Sequence, residues 1–526
     1  MMAAIASIAL DGLAGRPVEV EVDIASGLSA TVVVGLADTT VSEARNRVRS
    51  AVVNSGTAWP DTRVTINLAP SNLPKSGPHY DLAMGLGVFV AKSVVPTEGL
   101  ARTVFLGELA LDGRLRAVRG VLPATLAAAE AGFERVFVPE SNLAEARLVP
   151  TIEVVGVRSL RQVVAMLRGE EEPDDPPVPP LDESADAAWS RVIPSGRLDL
   201  TDVVGQDDAC LATVIAASGG HHLLLTGPPG VGKTMLAQRL PALLPDLEPE
   251  DSLEVSALHS LAGVLPSDVP MLIRPPFLEP HHTASAAAVV GGGSRVVRPG
   301  AMSLAHHGVL FLDEAPEFAI NVLEALRQPL ESGQVVVSRS AQTAVFPARF
   351  QLVLATNPCP CGHAGSVMQR CECSAATRRR YADRLSGPIR DRIDIHRTLV
   401  EPSRRELVHG LGARPAMADL AARVAEARAR QRRRLAGTPW RVNAAVPGVD
   451  LRKGWPAEEE GTRLLEHQVR GHKVTPRSAD RVLRLAWSIA DLCGHDRPTI
   501  DDVQTALDLR RGSPIGGDVA RLLEAA

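Results

Sequence analysis

The residues from Gly227 to Thr234 have the types and spacing that bind a polyphosphate. They fit the pattern G-x-x-x-x-G-K-[ST]. Glycines let consecutive backbone N–H groups turn toward an anion, and the positive end of the following helix dipole faces the same anion. Lys233 supplies a mobile cation for the β- and γ-phosphates, and the Thr234 hydroxyl is a ligand for Mg²⁺. The predicted nucleotide contacts are Gly227, Pro228, Pro229, Gly230, Val231, Gly232, Lys233 and Thr234.

Two carboxylates follow a second apolar run further along the chain. Val309 to Leu312 leads directly into Asp313 and Glu314, the pattern of a Walker B strand. Asp313 would hold Mg²⁺, usually through water, and Glu314 would orient and polarise the attacking water. Asn357 ends another strand-like run and would sense the γ-phosphate or help to orient that water. The pattern therefore predicts hydrolysis of ATP with Mg²⁺.

These groups need a strand before the phosphate loop and a helix after it. Leu223 to Leu225 is a short apolar run, typical of a central parallel strand. Leucines then recur at helical spacing, at Leu236, Leu240, Leu243 and Leu244. Lys233 and Asp313 are 80 positions apart, more than one strand–helix–strand crossover needs. We therefore expect an insert before Asp313.

The insert contains a glycine tip flanked by apolar stretches and two arginines, Arg295 and Arg298. Residues 333–346 read as a hairpin with Arg339 near its tip. Arginines on such loops could reach into a channel and contact DNA phosphates; the alternative is an ordinary surface loop. The histidine pairs 281/282 and 306/307 suggest structural residues, with a metal site as the less favoured alternative.

Two further arginines are candidates for stabilising charge on the transferred phosphoryl group. Arg392 stands before a strand-like Ile-Asp-Ile, where ring ATPases place an arginine finger that acts on a neighbour's nucleotide. Arg390 is the alternative finger, and a surface salt bridge is the structural alternative. Arg477 follows Thr475-Pro476 at the start of a helix and fits a sensor-2 arginine that reaches the γ-phosphate from the lid.

Four cysteines lie within fifteen positions, in two C-x-C pairs. Cys359 and Cys361 form the first pair, and Cys371 and Cys373 the second. Four thiols can close a tetrahedral Zn²⁺ site that holds a loop together. Because C-x-C is less typical of zinc sites than C-x-x-C, free thiols or a redox-labile pair remain the alternative.

Composition limits the classes of protein that fit. The net charge of −5 excludes a uniformly basic nucleic-acid coat protein, so any DNA contact must be local. Aromatic residues make up 3%, which argues against base stacking as the main binding device. No apolar run approaches membrane-spanning length, and the N-terminus is a poor signal peptide. We therefore expect a cytoplasmic protein without a membrane partner.

Changes in pattern divide the chain into four parts. Residues 1–167 alternate strand-like and helix-like segments, and residues 168–195 form an acidic, proline-rich stretch that predicts an extended linker unable to pack. Residues 196–400 hold the phosphate loop and the carboxylates. Residues 401–526 are helical in pattern. The predicted class is α/β, with a parallel sheet in the third part and a helical lid in the fourth.

The first part resembles the protease domain of the Lon family, an α+β fold of the ribosomal-S5 domain-2 type. The phrases that carry this resemblance are residues 73–82 and 106–115. In that family a nucleophilic serine follows the Gly-Pro pair and a lysine lies downstream. Here the serine position is His79, and the lysine position falls near Leu122. Because a nucleophile and its base are both needed, we expect a scaffold and no peptidase.

Taken together, the motifs resemble the magnesium-chelatase-like AAA+ ATPases of the YifB/ComM competence family. The distinctive phrases are residues 67–75, 280–283, 305–314, 326–330 and 357–362. The resemblance implies a homo-hexameric ring, ATP hydrolysis at subunit interfaces and, for competence members, DNA branch migration on branched or single-stranded substrates. The alternatives are a magnesium-chelatase motor subunit, an ATPase that remodels a protein partner, or a nucleotide switch.

Overall fold

The computed structural model describes residues 2–35, 39–181, 190–191, 198–266, 268–293, 297–338, 343–366, 369–403, 406, 415–516 and 518–523. Within these residues the chain forms an N-terminal α/β domain, a second α/β domain and a helical C-terminal region. The mixed α/β class and the helical C-terminal region agree with the sequence-based prediction.

A mixed sheet lies at the centre of the N-terminal domain. Its strands are β1 (Met2–Asp11), β2 (Ala14–Ala25), β3 (Ala30–Val34), β4 (Arg63–Ala69), β5 (Thr103–Phe105), β8 (Arg135–Pro139) and β9 (Glu153–Val157), with a small separate pair β6 (Glu108–Leu109) and β7 (Leu115–Arg116). The order in the sheet is β3-β4-β2-β1-β5-β8-β9. Along β2, buried valines alternate with exposed or half-buried acidic residues, which confirms the half-exposed strand predicted from that alternation.

Helices cover both faces of this sheet. They are α1 (Thr39–Asn54), α2 (Asp81–Ala91), α3 (Val121–Glu130), α4 (Leu143–Ala146) and α5 (Leu160–Arg168). Helix α2 is buried along its whole length and packs with α1 and α5 on one face. Helix α3 packs on the other face, among Ile8, Val104 and Val136.

The second domain is built on a parallel sheet. Its strands are β10 (Ser190–Arg191), β11 (Leu223–Thr226), β12 (Phe277–Leu278), β15 (Val309–Leu312), β18 (Gln351–Thr356) and β19 (Ile395–Thr398), in the order β10-β12-β15-β18-β11-β19. Every pairing is parallel except β10 with β12. Because β11, β15 and β18 are adjacent, the segments that follow them meet at one edge.

The other elements of this domain surround the sheet. The helices are α6 (Asp207–Gly219), α7 (Lys233–Leu243), α8 (Pro249–Ala262), α9 (Ala286–Val290), α10 (Ala301–Leu304), α11 (Ile320–Ala325), α12 (Pro329–Ser332), α13 (Ala375–Asp383) and α14 (Gly387–Arg392). Two hairpins are formed by β13 (Gly291–Gly292) with β14 (Arg298–Pro299), and by β16 (Gln334–Ser338) with β17 (Thr343–Pro347). The β16–β17 hairpin was predicted; in the insert, the apolar stretch before the glycines forms a short helix, α9.

The C-terminal region is helical, as predicted. It comprises α15 (Met417–Arg434), α16 (Gly448–Gly454), α17 (Glu459–Arg470), α18 (Pro476–Cys493) and α19 (Ile500–Arg511). Its apolar side chains join the same cluster as α6 and α7, so this region packs directly on the second domain.

The predicted extended linker requires a correction. Asp175 is buried; it accepts a hydrogen bond from the Ser159 hydroxyl at 2.5 Å and pairs with Arg161. Val178 is also buried, in the core cluster of the N-terminal domain. The stretch up to residue 181 therefore docks on that domain, because its few apolar and acidic groups find matching partners there. Residues 182–189 and 192–197 lie outside the described residues.

The N-terminal domain contacts the second domain through α8. The Gly120 N–H donates to the Ser260 carbonyl at 3.0 Å. Ala257 of α8 lies in the apolar cluster that also contains Ile8 and Leu122. Helix α8 is therefore shared between the two domains.

Candidate active site

The phosphate loop lies between β11 and α7, as the motif predicts. Residues 227–232 connect the end of β11 to the first turn of α7. Gly230 and Gly232 have φ angles of +79° and +98°, in the left-handed region that glycine adopts without strain. At Gly227 a Cβ would lie 2.8 Å from the Leu399 carbonyl oxygen, so a side chain does not fit there. The loop thus keeps the backbone geometry on which anion binding depends.

Lys233 is the buried cation of this loop. Its Nζ donates to the carbonyl oxygens of Gly227 at 2.6 Å and Pro228 at 2.8 Å, and to Oδ1 of Asn357 at 3.0 Å. Burial lowers its pKa, while the carboxylates of Asp313 and Glu314 oppose that effect. The structure therefore brings the predicted lysine and the predicted sensor asparagine into direct contact.

Thr234 and Asp313 face each other across the sheet edge. The Thr234 hydroxyl donates to Oδ2 of Asp313 at 2.9 Å, and Oδ1 of Asp313 accepts the Glu314 N–H at 2.9 Å. A hydroxyl and a carboxylate are hard oxygen donors, which Mg²⁺ prefers together with water and phosphate oxygens. The donor set and its position beside the phosphate loop fit Mg²⁺.

Glu314 occupies a strained and accessible position. Its φ and ψ of 49° and 43° are left-handed, a conformation that non-glycine residues rarely adopt. Its side chain is 48% exposed, and Oε2 lies 3.5 Å from Nδ1 of His282. Strain of this kind concentrates at functional sites. The backbone therefore holds this carboxylate at the sheet edge, open to water.

The histidine pairs have structural partners in the described residues. His282 faces Glu314, and the neighbouring His281 bonds to the Thr283 hydroxyl at 2.8 Å. Nδ1 of His306 accepts the Arg349 N–H at 2.9 Å, so its Nε2 donates to Glu254 at 3.1 Å. One ligand atom each of Glu254, His306 and His307 lie within 4.8 Å of one another, so at this pair both the structural interpretation and the metal alternative stay open. The contact between His282 and Glu314 was not predicted, because the two residues are 32 positions apart.

Arg392 and Arg477 meet at one carboxylate. Arg392 is buried and pairs with Glu331, and Arg477 donates to the same Oε1 of Glu331 at 3.0 Å. Arg477 is also 3.8 Å from Asp391. Within the described residues, no hydrogen bond or ion pair joins either arginine to Lys233. Arg477 thus lies beside Arg392, and the roles of both at the γ-phosphate stay predictions.

Glu331 was not predicted as a site residue. It lies in α12, immediately after one of the phrases that carry the family resemblance, but no spacing rule connects it to positions 392 and 477. The alternative finger, Arg390, turns away: its Nε donates to the Leu385 carbonyl at 2.9 Å, and its guanidinium also contacts the Ala382 carbonyl. Arg392 likewise bonds to a carbonyl of its own helix, that of Pro388 at 2.7 Å, so the choice of Arg392 over Arg390 as the finger stays a prediction.

The predicted DNA-contacting arginines are only partly described. Arg298 is exposed on β14, next to the glycine pair of β13. Arg295 and Arg339 lie outside the described residues. The role of these arginines stays a prediction.

The two C-x-C pairs come together immediately after Asn357. The sulfur atoms of Cys359, Cys361, Cys371 and Cys373 all lie within 4.8 Å of one another. The His363 N–H donates to the Cys361 sulfur and lowers the pKa of that thiol to about 6, aided by Cys359. The two pairs are separated in the sequence, but their four sulfur atoms form one cluster in the fold.

In the N-terminal domain the positions of a Lon-type Ser/Lys pair are structural. Burial lowers the pKa of His79 to about 4, and its Nε2 bonds to the Ile8 carbonyl at 2.9 Å. Leu122 is fully buried in α3. Among the described residues, no helix combines the length and apolar character needed to cross a membrane.

Comparisons with known proteins cover nearly the whole chain. Three family models match: "Subunit ChlI of Mg-chelatase" at residues 20–142, "Magnesium chelatase, subunit ChlI" at 199–407 and "Magnesium chelatase, subunit ChlI C-terminal" at 415–510. A stretch of 105 residues is also 30% identical to Lon protease 2 of Bacillus subtilis, so the Lon similarity is partial.

Several relatives match end to end. An uncharacterized Mycobacterium tuberculosis protein is 48% identical over 96% of this chain and 98% of its own. YifB of Escherichia coli is 40% identical over 95% of each chain. Competence protein ComM of Haemophilus influenzae is 38% identical over 94% of this chain and 95% of its own. The chain therefore belongs to the YifB/ComM family of magnesium-chelatase-like AAA+ ATPases.

Proposed function

We propose that this ATPase assembles as a hexameric ring and couples ATP hydrolysis to movement on DNA. The task that fits best is branch migration or helicase action in recombination or natural transformation. The observation that carries the proposal is the convergence of Lys233, Thr234, Asp313, Glu314 and Asn357 at one edge of a parallel sheet. The relative named as a competence protein supports the DNA task.

Each residue at the sheet edge has a chemical role in hydrolysis. Lys233 exchanges its contacts with main-chain carbonyls for phosphate oxygens. Thr234 and Asp313 would hold Mg²⁺, which offsets negative charge on the phosphates. Glu314, accessible at the sheet edge, orients the attacking water, and Asn357 fixes the position of the γ-phosphate through the lysine that it contacts.

The arrangement of the arginines supports a ring. Arg392 and Arg477 both pair with Glu331, and in the described part of the chain no hydrogen bond or ion pair joins either one to the phosphate loop of its own chain. Arginines that stabilise phosphoryl charge have large effects when a second molecule supplies them. We therefore propose that Arg392 serves the nucleotide of an adjacent protomer, and that Arg477 is the sensor-2 arginine that reaches the γ-phosphate from the lid.

We propose that the insert and the β16–β17 hairpin move along DNA when ATP is cleaved. Arg298 is exposed on the insert, and the sequence puts Arg295 and Arg339 on the two loop tips. Arginine contacts to phosphates give affinity without sequence preference and weaken as salt rises. A translocating motor requires binding of this kind.

A DNA-stimulated ATPase assay tests this function. We expect a four-way junction or forked DNA to raise ATP turnover, and the ring to dissociate the labelled junction only with hydrolysable ATP. Arg298→Ala should weaken the stimulation, whereas Arg102→Ala, an exposed arginine of the N-terminal domain, should not. Turnover that is unchanged by any DNA would contradict the proposal and favour a protein client.

The flanking regions complete this proposal. We propose that residues 1–167 form an S5 domain-2-type scaffold without peptidase activity, and that residues 401–526 act as the lid of the ATPase. The neutral, hydrogen-bonded His79 supports the first assignment. The shared apolar cluster of α18 with α6 and α7 supports the second.

The alternative is a motor subunit of a magnesium chelatase or an ATPase that remodels a protein. The three family models, each described by a chelatase subunit, favour it. Turnover stimulated by a porphyrin-binding partner, and not by DNA, would support this alternative.

A further inference from the structure

The cysteine cluster beside the ATPase site has the geometry of a metal centre. Cys359 Sγ is 3.3 Å from Cys361 Sγ and 3.7 Å from Cys371 Sγ, and Cys361 Sγ is 3.7 Å from Cys371 Sγ. Together with Cys373, all four sulfurs lie within 4.8 Å of one another. Ligands at about 2.3 Å from a central zinc in a tetrahedron stand about 3.8 Å apart. The sulfur separations are close to that value.

We infer that Cys359, Cys361, Cys371 and Cys373 bind one structural Zn²⁺ ion as four thiolates. A closed set of four sulfur ligands is the donor set of structural zinc sites and leaves no position for substrate. Backbone amides support it: the Ala364 N–H donates to Cys359 Sγ at 3.3 Å. Such hydrogen bonds to ligand atoms orient the ligands of metal sites.

A metal explains the arrangement better than disulfide bonds. A disulfide joins sulfurs in pairs and does not require two pairs to converge on one point. Here the second C-x-C pair follows ten positions after the first, yet the Cys371 sulfur lies 3.7 Å from both sulfurs of the first pair, and the Cys373 sulfur lies within 4.8 Å of all three. If all four are ionised, thiolates at this separation repel one another and require a cation between them. A divalent ion supplies that charge.

The metal would fix the loop that links the phosphate cradle to the sensor residue. Asn357, which contacts Lys233, lies two positions before Cys359. Gly362 has a φ of +82°, and a Cβ there would lie 2.8 Å from the ring of Pro229 in the phosphate loop. The cysteine loop therefore packs directly against the loop predicted to hold ATP.

The far end of the cysteine loop also returns to the ATPase site. It leads into α13, where Tyr381 is buried. Burial and the nearby carboxylates of Glu317 and Glu314 raise the pKa of Tyr381, which locates this side chain beside the Walker B segment. Zinc would thus hold both ends of one loop at the site of hydrolysis.

Metal analysis tests the zinc site directly. Protein purified without chelators should contain about one zinc per chain. The Cys371→Ser/Cys373→Ser variant should contain none, and Cys493→Ser, which removes a thiol outside the cluster, should keep it. Reduced wild-type protein stripped of metal should take up Co²⁺ with the visible spectrum of a tetrahedral tetrathiolate site. This titration decides the question even if the double variant fails to fold.

The proposal would be overturned by reduced, folded wild-type protein that holds no zinc and takes up no cobalt. It would equally be overturned by disulfide bonds between these cysteines in protein purified under reducing conditions. The metal measurement is independent of ATP turnover, so it stands or falls separately from the proposed function.

The second part of the inference, that zinc holds the ATPase loop, rests on the proposed function. Removing zinc should lower kcat/KM for ATP by about 10- to 100-fold, the loss expected when positioning groups shift by an ångström. Returning zinc should restore it. An unchanged kcat/KM in fully stripped protein would reject this coupling while leaving the metal site intact.

Discussion

Two loop–helix junctions of this chain carry ionisable residues in similar places but with different partners. In the N-terminal domain, Lys75 and His79 precede α2, whose first residue is Asp81. In the second domain, the phosphate loop precedes α7, whose first residues are Lys233 and Thr234. Both junctions therefore put charged or titratable groups at the start of a helix.

The N-terminal groups are closed off by their own domain. Asp81 is buried and accepts from the Arg47 guanidinium at 2.9 and 3.2 Å, and His79 is held on the Ile8 carbonyl. In the second domain, Glu314 is about half exposed at the sheet edge that also holds the phosphate loop. A loop–helix junction with ionisable residues is therefore not enough for catalysis. The groups must also converge at a place that a substrate can reach.

A matched pair of lysine substitutions is expected to show the largest effect. Lys233→Met should lower kcat/KM for ATP about 1,000-fold or more, because the substitution removes the cation that stabilises phosphoryl charge. Lys75→Met, which removes the buried lysine of the other junction, should leave turnover near wild type and lower thermal stability. Steady-state ATPase kinetics and thermal unfolding check both variants. Loss of turnover in Lys75→Met with retained stability would break the comparison.

Glu314→Gln should separate binding from cleavage. The amide keeps the shape of the side chain but orients water poorly, so kcat should fall about 100- to 1,000-fold while ATP stays bound. Glu317→Gln, a partly exposed carboxylate three positions away, is the matched control and should retain most turnover. Binding of a fluorescent ATP analogue and single-turnover hydrolysis measure the two steps. Normal turnover in Glu314→Gln would remove its assigned role.

The same contrast explains what the sequence could predict. The phosphate loop and β11 were predictable because strand, glycines and helix are contiguous, so spacing alone fixes their order. The strand β2 was predictable because apolar and acidic residues alternate along it. Local patterns of this kind predict elements and the residues at their ends.

Contacts between distant segments were not predictable in this way. Glu331 meets Arg392 and Arg477 from positions 61 and 146 residues away, and no periodicity connects them. The linker was predicted from its acidic and proline-rich composition, yet Asp175 and Val178 dock because the N-terminal domain offers a serine, an arginine and an apolar site. Such partners depend on the tertiary fold.

Substitutions of Arg392 and Arg390 test whether the accessible site of the second domain also needs a group from a neighbouring chain. Arg392→Ala should lower kcat about 100-fold, because a group that stabilises transition-state charge is lost. Arg390→Ala, whose guanidinium bonds to carbonyls of its own segment, is the control and should have a smaller effect. ATPase assays at saturating ATP measure both variants.

Mixing two inactive variants tests whether Arg392 acts on the neighbour. Chains with Lys233→Met lack a working cradle but offer an intact arginine, and chains with Arg392→Ala have the reverse defect. Mixed rings should regain part of the activity, because some interfaces then combine both intact groups. Absence of rescue in rings shown to be mixed would contradict an intermolecular role.

The smallest expected effect is a response of stability to pH that both domains share. Burial lowers the pKa of His79 in the N-terminal domain and of His259 in α8 to about 4. Each is neutral in the folded chain near pH 5, whereas the unfolded chain protonates it below about pH 6.5. The contribution of these neutral histidines to the free energy of unfolding is therefore complete above pH 6.5 and is lost as the pH falls toward 4. At pH 5 the loss is roughly 1–2 kcal/mol for each histidine.

Glutamine substitutions isolate this contribution. A glutamine does not titrate and keeps an N–H donor for the Ile8 or Leu304 carbonyl that each histidine contacts. In urea unfolding at pH 7 and pH 5, His79→Gln and His259→Gln should each lose roughly 1–2 kcal/mol less stability on acidification than wild type. If the two variants lose the same amount of acid sensitivity, His79 is a structural histidine like His259, although it occupies the position of a Lon-type nucleophile. If His79→Gln kept the full acid sensitivity of wild type, His79 would be titrating near its ordinary pKa, and its assignment as a closed, structural residue would fail.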